Sequence, residues 1–282
     1  LEFVDGVSTP VEDGLPAIEG AIFDTIDRLI AVGRQRSRHI RGLGVGIPGV
    51  VDEAKGLGVL SANLRWERYP VREILEARTE LPVRVGHDVR LGALAELVGG
   101  AAAGVRDFVF VALGTGIGAA VVTGKRPYPG AHGAAAELGH LRVSSSSERC
   151  GCGRTGCLET IAGGAAIRRR YGSGEPGPAP SPEVIAERWR SGDRRAARVW
   201  NEAVEALAKG LAHCTLLYDP ERIVIAGGMS ALGDQLLDPL RAAFRQEMQC
   251  WTTPSIVAST FGSLAGCAGA GIAGWQAVSE AE

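Results

Sequence analysis

The sequence predicts an α/β fold with mostly parallel sheets. Short apolar strands at Gly42–Ile47, Val83–Val85, Phe108–Leu113 and Arg222–Ala226 are separated by stretches with helical spacing, which is the alternation of that class. Hydrophobic residues make up 45% and charged residues 22%, which excludes a disordered or membrane-embedded chain. The 282 residues are long enough to bury one large core or two smaller ones.

The first helix is carried by Leu15, Ile18, Ile22, Ile26, Leu29 and Ile30, with a start at Asp13. The strand from Gly42 ends at Pro48-Gly49, residues 70–79 read as a helix, and His87-Asp88 open another that runs to about Leu97. A break in composition at Gly99–Gly104 divides an N-terminal lobe, 1–104, from a second lobe, 105–263. Two strands, Phe108–Leu113 and Ala119–Val122, then flank Gly114-Thr115-Gly116-Ile117-Gly118. The stretch 130–156 is loop-rich, and 171–182 is a Gly/Pro-rich surface loop. A long helix covers about 194–217, and strand 222–226 runs into Gly227-Gly228 and a helix from about Ser230. A final strand, 256–258, precedes a small-residue helix, about 264–282, expected to pack back on the first lobe.

Net charge is −2, from 30 Lys+Arg and 32 Asp+Glu, which argues against nucleic acid as a partner of this segment. The basic run Arg34–Arg41 reads as a solvated connection between helix and strand. No apolar run reaches the ~18 residues of a membrane span. No signal-like segment opens the sequence, so a cytoplasmic location is expected. Glycine is the outlier, at 40 residues, and it is concentrated: residues 99–164 hold 15. Such local excess points to backbone that approaches a ligand closely or adopts positive φ.

Gly114–Ala119 can be parsed as a dinucleotide fingerprint, but that motif needs a helix after the glycines, and here a strand follows. The alternative is a β-hairpin whose N–H groups and Thr115 hydroxyl cradle a phosphate. An ordinary hairpin turn is the plain reading. Three glycines in five positions exceed its needs and favour phosphate binding. His140, Cys150, Cys152 and Cys157 form H-x9-C-x-C-x4-C, whose three thiolates and one imidazole predict a closed, structural zinc site. The competing reading is a surface histidine beside reduced thiols. Cys214, Cys250 and Cys267 sit singly in apolar surroundings and read as small core residues. Asp88 stands where a strand meets a helix; alone it reads as a helix cap, and with the other motifs as a proton acceptor. Gly227-Gly228 would bring backbone close either to a flat ligand or to the next helix.

In this order, Gly44–Asp52, Asn63-Leu-Arg-Trp66, Leu113–Gly118, Glu137-Leu-Gly-His140, Cys150–Glu159 and Ile225-Ala-Gly-Gly228 resemble the ROK family of sugar kinases and sugar-responsive repressors. The resemblance implies the actin-like (ribonuclease H-like) ATPase fold, two α/β lobes with a central cleft. It implies Asp88 as the base that takes a proton from a hexose 6-hydroxyl. Asn63, Glu137, His140 and Glu159 would contact the sugar, with His140 also ligating zinc, and His87, which stands where the family has Asn, could still hydrogen-bond a sugar hydroxyl. Gly114, Thr115 and Gly116 would hold the phosphates of ATP, which binds with Mg²⁺, and Gly227-Gly228 would pack on its adenosine. A homodimer is also implied.

Two departures stand out. His87-Asp88-Val89-Arg90 replaces the family's Asn-Asp start. The family's first Asp-x-Gly-x-Thr phosphate turn is echoed only by Asp5-Gly6-Val7-Ser8-Thr9, with the wrong spacing, so the first hairpin is expected to be missing. The leading expectation is a glucokinase-type hexose kinase, with the sugar-sensing domain of a ROK repressor as the alternative. The hexose itself is left open.

Overall fold

The computed structural model describes residues 4, 6–174 and 177–281. Asp5 of the weak phosphate-turn echo, residues 175–176 of the Gly/Pro-rich segment and Glu282 lie outside them. In chain order the elements begin with α1 (Leu15–Gln35), β1 (Leu43–Ile47), β2 (Val50–Asp52), β3 (Leu57–Ser61), β4 (Trp66–Tyr69), α2 (Val71–Thr79), β5 (Val83–His87) and α3 (Asp88–Gly99). They continue with β6 (Phe108–Leu113), β7 (Ile117–Thr123), β8 (Arg126–Pro127), α4 (Glu159–Ala162), α5 (Gly164–Gly172), α6 (Pro182–Arg190) and α7 (Arg194–Tyr218). The last are β9 (Arg222–Ala226), α8 (Asp234–Met248), β10 (Ser255–Ala258) and α9 (Ala265–Ala281).

The chain divides into two compact units. The first comprises Leu1–Gly92, Pro129–Ala134 and Gly266–Glu282. Its β1 and β5 pair in parallel from Leu43 opposite Val83 to Ile47 opposite His87. A separate antiparallel meander, β2-β3-β4, lies in the same unit. Ile18 and Ile26 of α1 meet Ile47, Val51, Trp66, Leu75, Val83 and Val85 in one core. Trp66 stacks on Tyr69 with ring centroids 4.7 Å apart, and the Tyr69 hydroxyl donates to Glu19 at 2.6 Å. Burial and that carboxylate hold the Tyr69 phenol well above its usual range. The small residues of α9 serve close packing: a Cβ on Gly44 of β1 would overlap the Ala270 carbonyl.

The second unit comprises Ala93–Tyr128 and Ala135–Ala265. Its five-stranded sheet runs β10-β9-β6-β7-β8, with β10, β9 and β6 parallel and the hairpin strands β7 and β8 antiparallel. Residues of β6 such as Val109, Val111 and Leu113 are fully buried and join Trp200, Leu207 and Leu211 of α7 in a large core. The Asp193 carboxylate caps α7 by accepting from the Arg195 and Ala196 N–H groups.

Several expectations are corrected. The meander β2–β4 and helices α4, α5 and α6 were not legible, because each is short and none shows a long period. The helix expected from Asp13 starts at Leu15, behind a 3-10 turn at Val11–Asp13 and with Pro16 in its first turn. The helix expected from Ser230 is a 3-10 turn, Gly228–Leu232, followed by α8. Of the three single cysteines only Cys214 is buried, while Cys250 and Cys267 are exposed.

Two glycine substitutions in the first unit should move stability in opposite directions. Gly44→Ala is expected to cost about 1–3 kcal/mol by overpacking against the Ala270 carbonyl. Gly20→Ala, inside α1 with open space around its Cβ position, should gain about 0.5–1 kcal/mol. Denaturant melts of the two variants check both signs.

Candidate functional site

In the first unit, β5 ends on His87 and α3 begins on Asp88. Ligands of parallel α/β sheets gather at the carboxyl ends of strands, and that is where Asp88 stands. Its Oδ1 accepts from the Val89 N–H at 2.8 Å, and its side chain is half exposed. A bond to the adjacent backbone N–H and an accessible carboxylate thus coexist in one residue. His87 is nearly buried, and its Nδ1, 3.6 Å from Asp88 Oδ1, makes no hydrogen bond. Glu53 organises this corner: its Oε1 accepts from the His87 N–H at 3.2 Å and from Arg90 Nε at 2.8 Å. Arg90 is 4% exposed and also donates to the Gly133 carbonyl at 3.0 Å. Burial, and then the nearby Arg90 charge, push the His87 imidazole down to about 4, so it is neutral at physiological pH. Asn63 is exposed on the turn between β3 and β4.

In the second unit, the Gly114–Gly116 turn links the antiparallel strands β6 and β7. Its carbonyls face protein: Gly114 O and Thr115 O accept from the N–H groups of Gly164 and Ala165 at the start of α5, at 2.9 and 3.0 Å. Glu159 at the start of α4 accepts from the Ile117 N–H at 2.9 Å. A Cβ on Gly116 would overlap that carboxylate, so a larger residue there would displace the Glu159 side chain from Ile117. None of these bonds uses the N–H groups of Thr115 or Gly116, the two amides a phosphate nest needs. Gly227 takes φ +83, and a Cβ there would overlap the Leu113 carbonyl, whereas the Cβ position of Gly228 faces open space. The two readings of the glycine pair therefore divide between its members: Gly227 packs on β6, and Gly228 leaves backbone approachable.

Glu137 is exposed, just before a 3-10 turn, Leu138–His140. His140 turns Nε2 toward Glu137 at 3.8 Å and Nδ1 toward Cys150 Sγ at 3.4 Å. Bridges between Arg142 and Cys157 and between Arg149 and Thr155 fold the cysteine loop back on the histidine. As a result the donor atoms of His140, Cys150, Cys152 and Cys157 lie within 4.8 Å of one another, with Cys152 and Cys157 Sγ 3.6 Å apart. A zinc tetrahedron with Zn–S near 2.3 Å has edges of about 3.8 Å, so one imidazole and three thiols fit that ion. The Arg154 N–H lowers the Cys152 thiol and burial raises that of Cys157; a bound cation would hold both as thiolates.

The comparisons with known proteins agree with this architecture. The ROK family model matches residues 8–274, and the chain belongs to the ROK family. It is 30% identical over 293 residues to a glucokinase of Halalkalibacterium halodurans, covering 96% of this chain and 87% of that protein. It is 29% identical over 237 residues to a xylose repressor of Caldicellulosiruptor bescii, covering 80% of this chain and 59% of that one, so it spans well under two thirds of the repressor's length. A ROK family glucokinase from Streptomyces griseus, solved in complex with glucose and AMPPNP, superposes with a TM-score of 0.82 at 29% identity, over 96% of this chain and 90% of that one. The structural neighbours include ROK sugar kinases and a ROK transcriptional regulator (TM-score 0.79 at 27% identity), and the actin-like ATPase fold of the kinases is the fold of this chain. Among the described residues, no helix is long and apolar enough to cross a membrane.

Reading the residues alone had missed Glu53, Arg90 and Glu96. The available signal was a charge inside an otherwise apolar helix, as at Arg90 and Glu96 of α3, which is 4% and 0% exposed at those positions.

The His87 environment makes stability pH-dependent. Unfolded His87 takes a proton below about 6.5, but folded His87 only below about 4. Between those values the unfolded state holds more protons, so stability falls as pH falls, by at most about 3 kcal/mol once pH 4 is passed. Melts from pH 7 to 4 should show a shallower decline in His87→Asn than in the parent; equal slopes would refute the assignment.

Proposed function

We propose that this chain is the body of an ATP-dependent hexose kinase of glucokinase type. The observation that carries it is Asp88, an accessible carboxylate at the carboxyl end of β5 with a charge-organised corner behind it. Asp88 accepts the proton of the sugar 6-hydroxyl as that oxygen bonds to the γ-phosphorus and the bond to the β-phosphate oxygen breaks, releasing ADP. Asn63, His87, Glu137, His140 and Glu159 bind sugar hydroxyls. One oxygen of Glu159 is already engaged by Ile117, so the other is its contact. Gly114, Thr115 and Gly116 orient the phosphates through the two uncommitted amides, and Gly227-Gly228 lie against the adenosine. Mg²⁺ accompanying ATP offsets phosphate charge, and positioning supplies most of the remaining rate. His140, Cys150, Cys152 and Cys157 would hold a zinc ion that leaves no open coordination position and rigidifies the stretch between Glu137 and Glu159. The glucose and AMPPNP of the Streptomyces griseus complex support both ligand classes.

A second reading, the sugar-sensing domain of a transcriptional regulator, is favoured by the xylose repressor match. Glucose-dependent ADP release from Mg-ATP separates the two. Asp88→Asn in the natural full-length protein should lower kcat by about 10²–10⁴ with little change in glucose KM. Sugar binding without turnover in the parent protein would favour the sensor instead.

Metal analysis tests the zinc assignment. Purified protein should carry stoichiometric zinc, and Cys152→Ser should lose it and melt at lower temperature. Full metal-free stability would remove the zinc from the proposal.

A further inference from the structure

Glu96 lies in the second unit, on α3, and is 0% exposed. A carboxylate so deeply buried is costly unless its oxygens are matched by donors. Here the match is complete. Oε2 accepts from the Ala101 N–H at 2.6 Å and the Thr260 N–H at 3.2 Å. Oε1 accepts from the Phe261 N–H at 3.0 Å and from the Ser259 hydroxyl. One side chain thereby ties two loops, the turn after α3 and the segment that follows β10.

The second loop leads to the glycine pair. Ser259 Oγ, held by Glu96, accepts from the N–H groups of Phe261 and Gly262 at 3.1 and 2.7 Å. The Gly262 carbonyl in turn accepts from the Gly227 N–H at 3.3 Å. Gly227 is already confined on its other side by the Leu113 carbonyl, at the end of the strand that feeds the Gly114 turn. The position of Gly227-Gly228 is therefore set by Leu113 on one side and by the Glu96–Ser259–Gly262 chain on the other.

We propose that Glu96 is a positioning residue for nucleotide binding, holding the Gly227-Gly228 turn through Ser259 and Gly262. This rests on the reading of that turn as the nucleoside contact. The donors are three backbone N–H groups and the Ser259 hydroxyl, and all four need an acceptor oxygen. A glutamine in place of Glu96 keeps only one such oxygen: its NH₂ group would face either the Ala101 and Thr260 N–H groups or the Phe261 N–H, and the loop would move to relieve the clash. The sugar-binding groups share none of these bonds, so the effect separates by ligand.

The test measures two affinities in the natural full-length protein by calorimetry, one for AMPPNP with Mg²⁺ and one for glucose. Glu96→Gln should weaken AMPPNP binding about tenfold or more and leave glucose binding within about twofold. Ser259→Ala, a milder change that keeps the carboxylate, should weaken AMPPNP alone by a smaller factor, and it serves if Glu96→Gln does not fold. Equal loss of both affinities would assign Glu96 a structural role only and overturn the proposal, as would unchanged AMPPNP binding in folded variants. If the parent protein binds no AMPPNP, the kinase reading falls first and takes this proposal with it.

Discussion

The parallel pairing of β6 with β9 aligns Ala112 with Ala226, so the two strands leave the sheet at the same level. Each then enters a glycine turn, at Gly114 and at Gly227. The turns are close enough that Gly227 rests on the Leu113 carbonyl without room for a Cβ. Most of the candidate nucleotide site follows from this register. The carbonyls of Gly114 and Thr115 are consumed by the N-terminus of α5, and none of these bonds uses the Thr115 or Gly116 N–H. Amides left by such bonds suit an anion, and they owe that to helix placement as well as to the glycines.

A second device recurs around this frame. Carboxylates, rather than ladder partners, hold the backbone where chain segments meet. Glu159 holds Ile117, Glu96 holds Ala101, Thr260 and Phe261, and Glu221 accepts from the N–H groups of Arg106 and Asp107 at 2.9 and 3.2 Å. In the first unit Glu53 does the same for His87 while pairing with Arg90. An ionised acceptor can take several N–H donors at once, and such bonds are stronger than neutral ones. It is an economical way to fix irregular backbone, and irregular backbone is where ligands are met. With a metal bound, the histidine–cysteine cluster would meet the same need on the loop between Glu137 and Glu159, with soft donors in place of a carboxylate.

Legibility in the sequence followed the length and regularity of each signal. The apolar strands at 43–47, 108–113 and 222–226 and the long helix α7 were readable because continuous apolar runs and a sustained helical period survive without context. The meander β2–β4 was not, since its strands have three to five residues and acquire a buried face only in the core they share with Ile18, Ile26 and Ile47. Within the candidate site, the four residues of the histidine–cysteine cluster and the Gly114 turn were visible as spacing. Arg90 and Glu96 were not, because a lone charge in a helix reads as a solvated face until its burial is known, and Glu53 was not, because a charge on a turn reads the same way.

The sequence by itself determined the class of fold, the family and the chemical identity of the candidate groups: a carboxylate at a strand end, a glycine turn between strands, and three thiols with an imidazole. These are properties of residue type and local spacing, and they survive without knowledge of long-range contacts. Only the tertiary structure decided what each group is bonded to. It placed Glu159 on Ile117, turned the Gly114 carbonyls into α5, and left Cys250 and Cys267 exposed while burying Cys214. It also left the His87 imidazole neutral. Burial and hydrogen-bond partnership depend on segments far apart in the chain, and those are brought together only by the folded core.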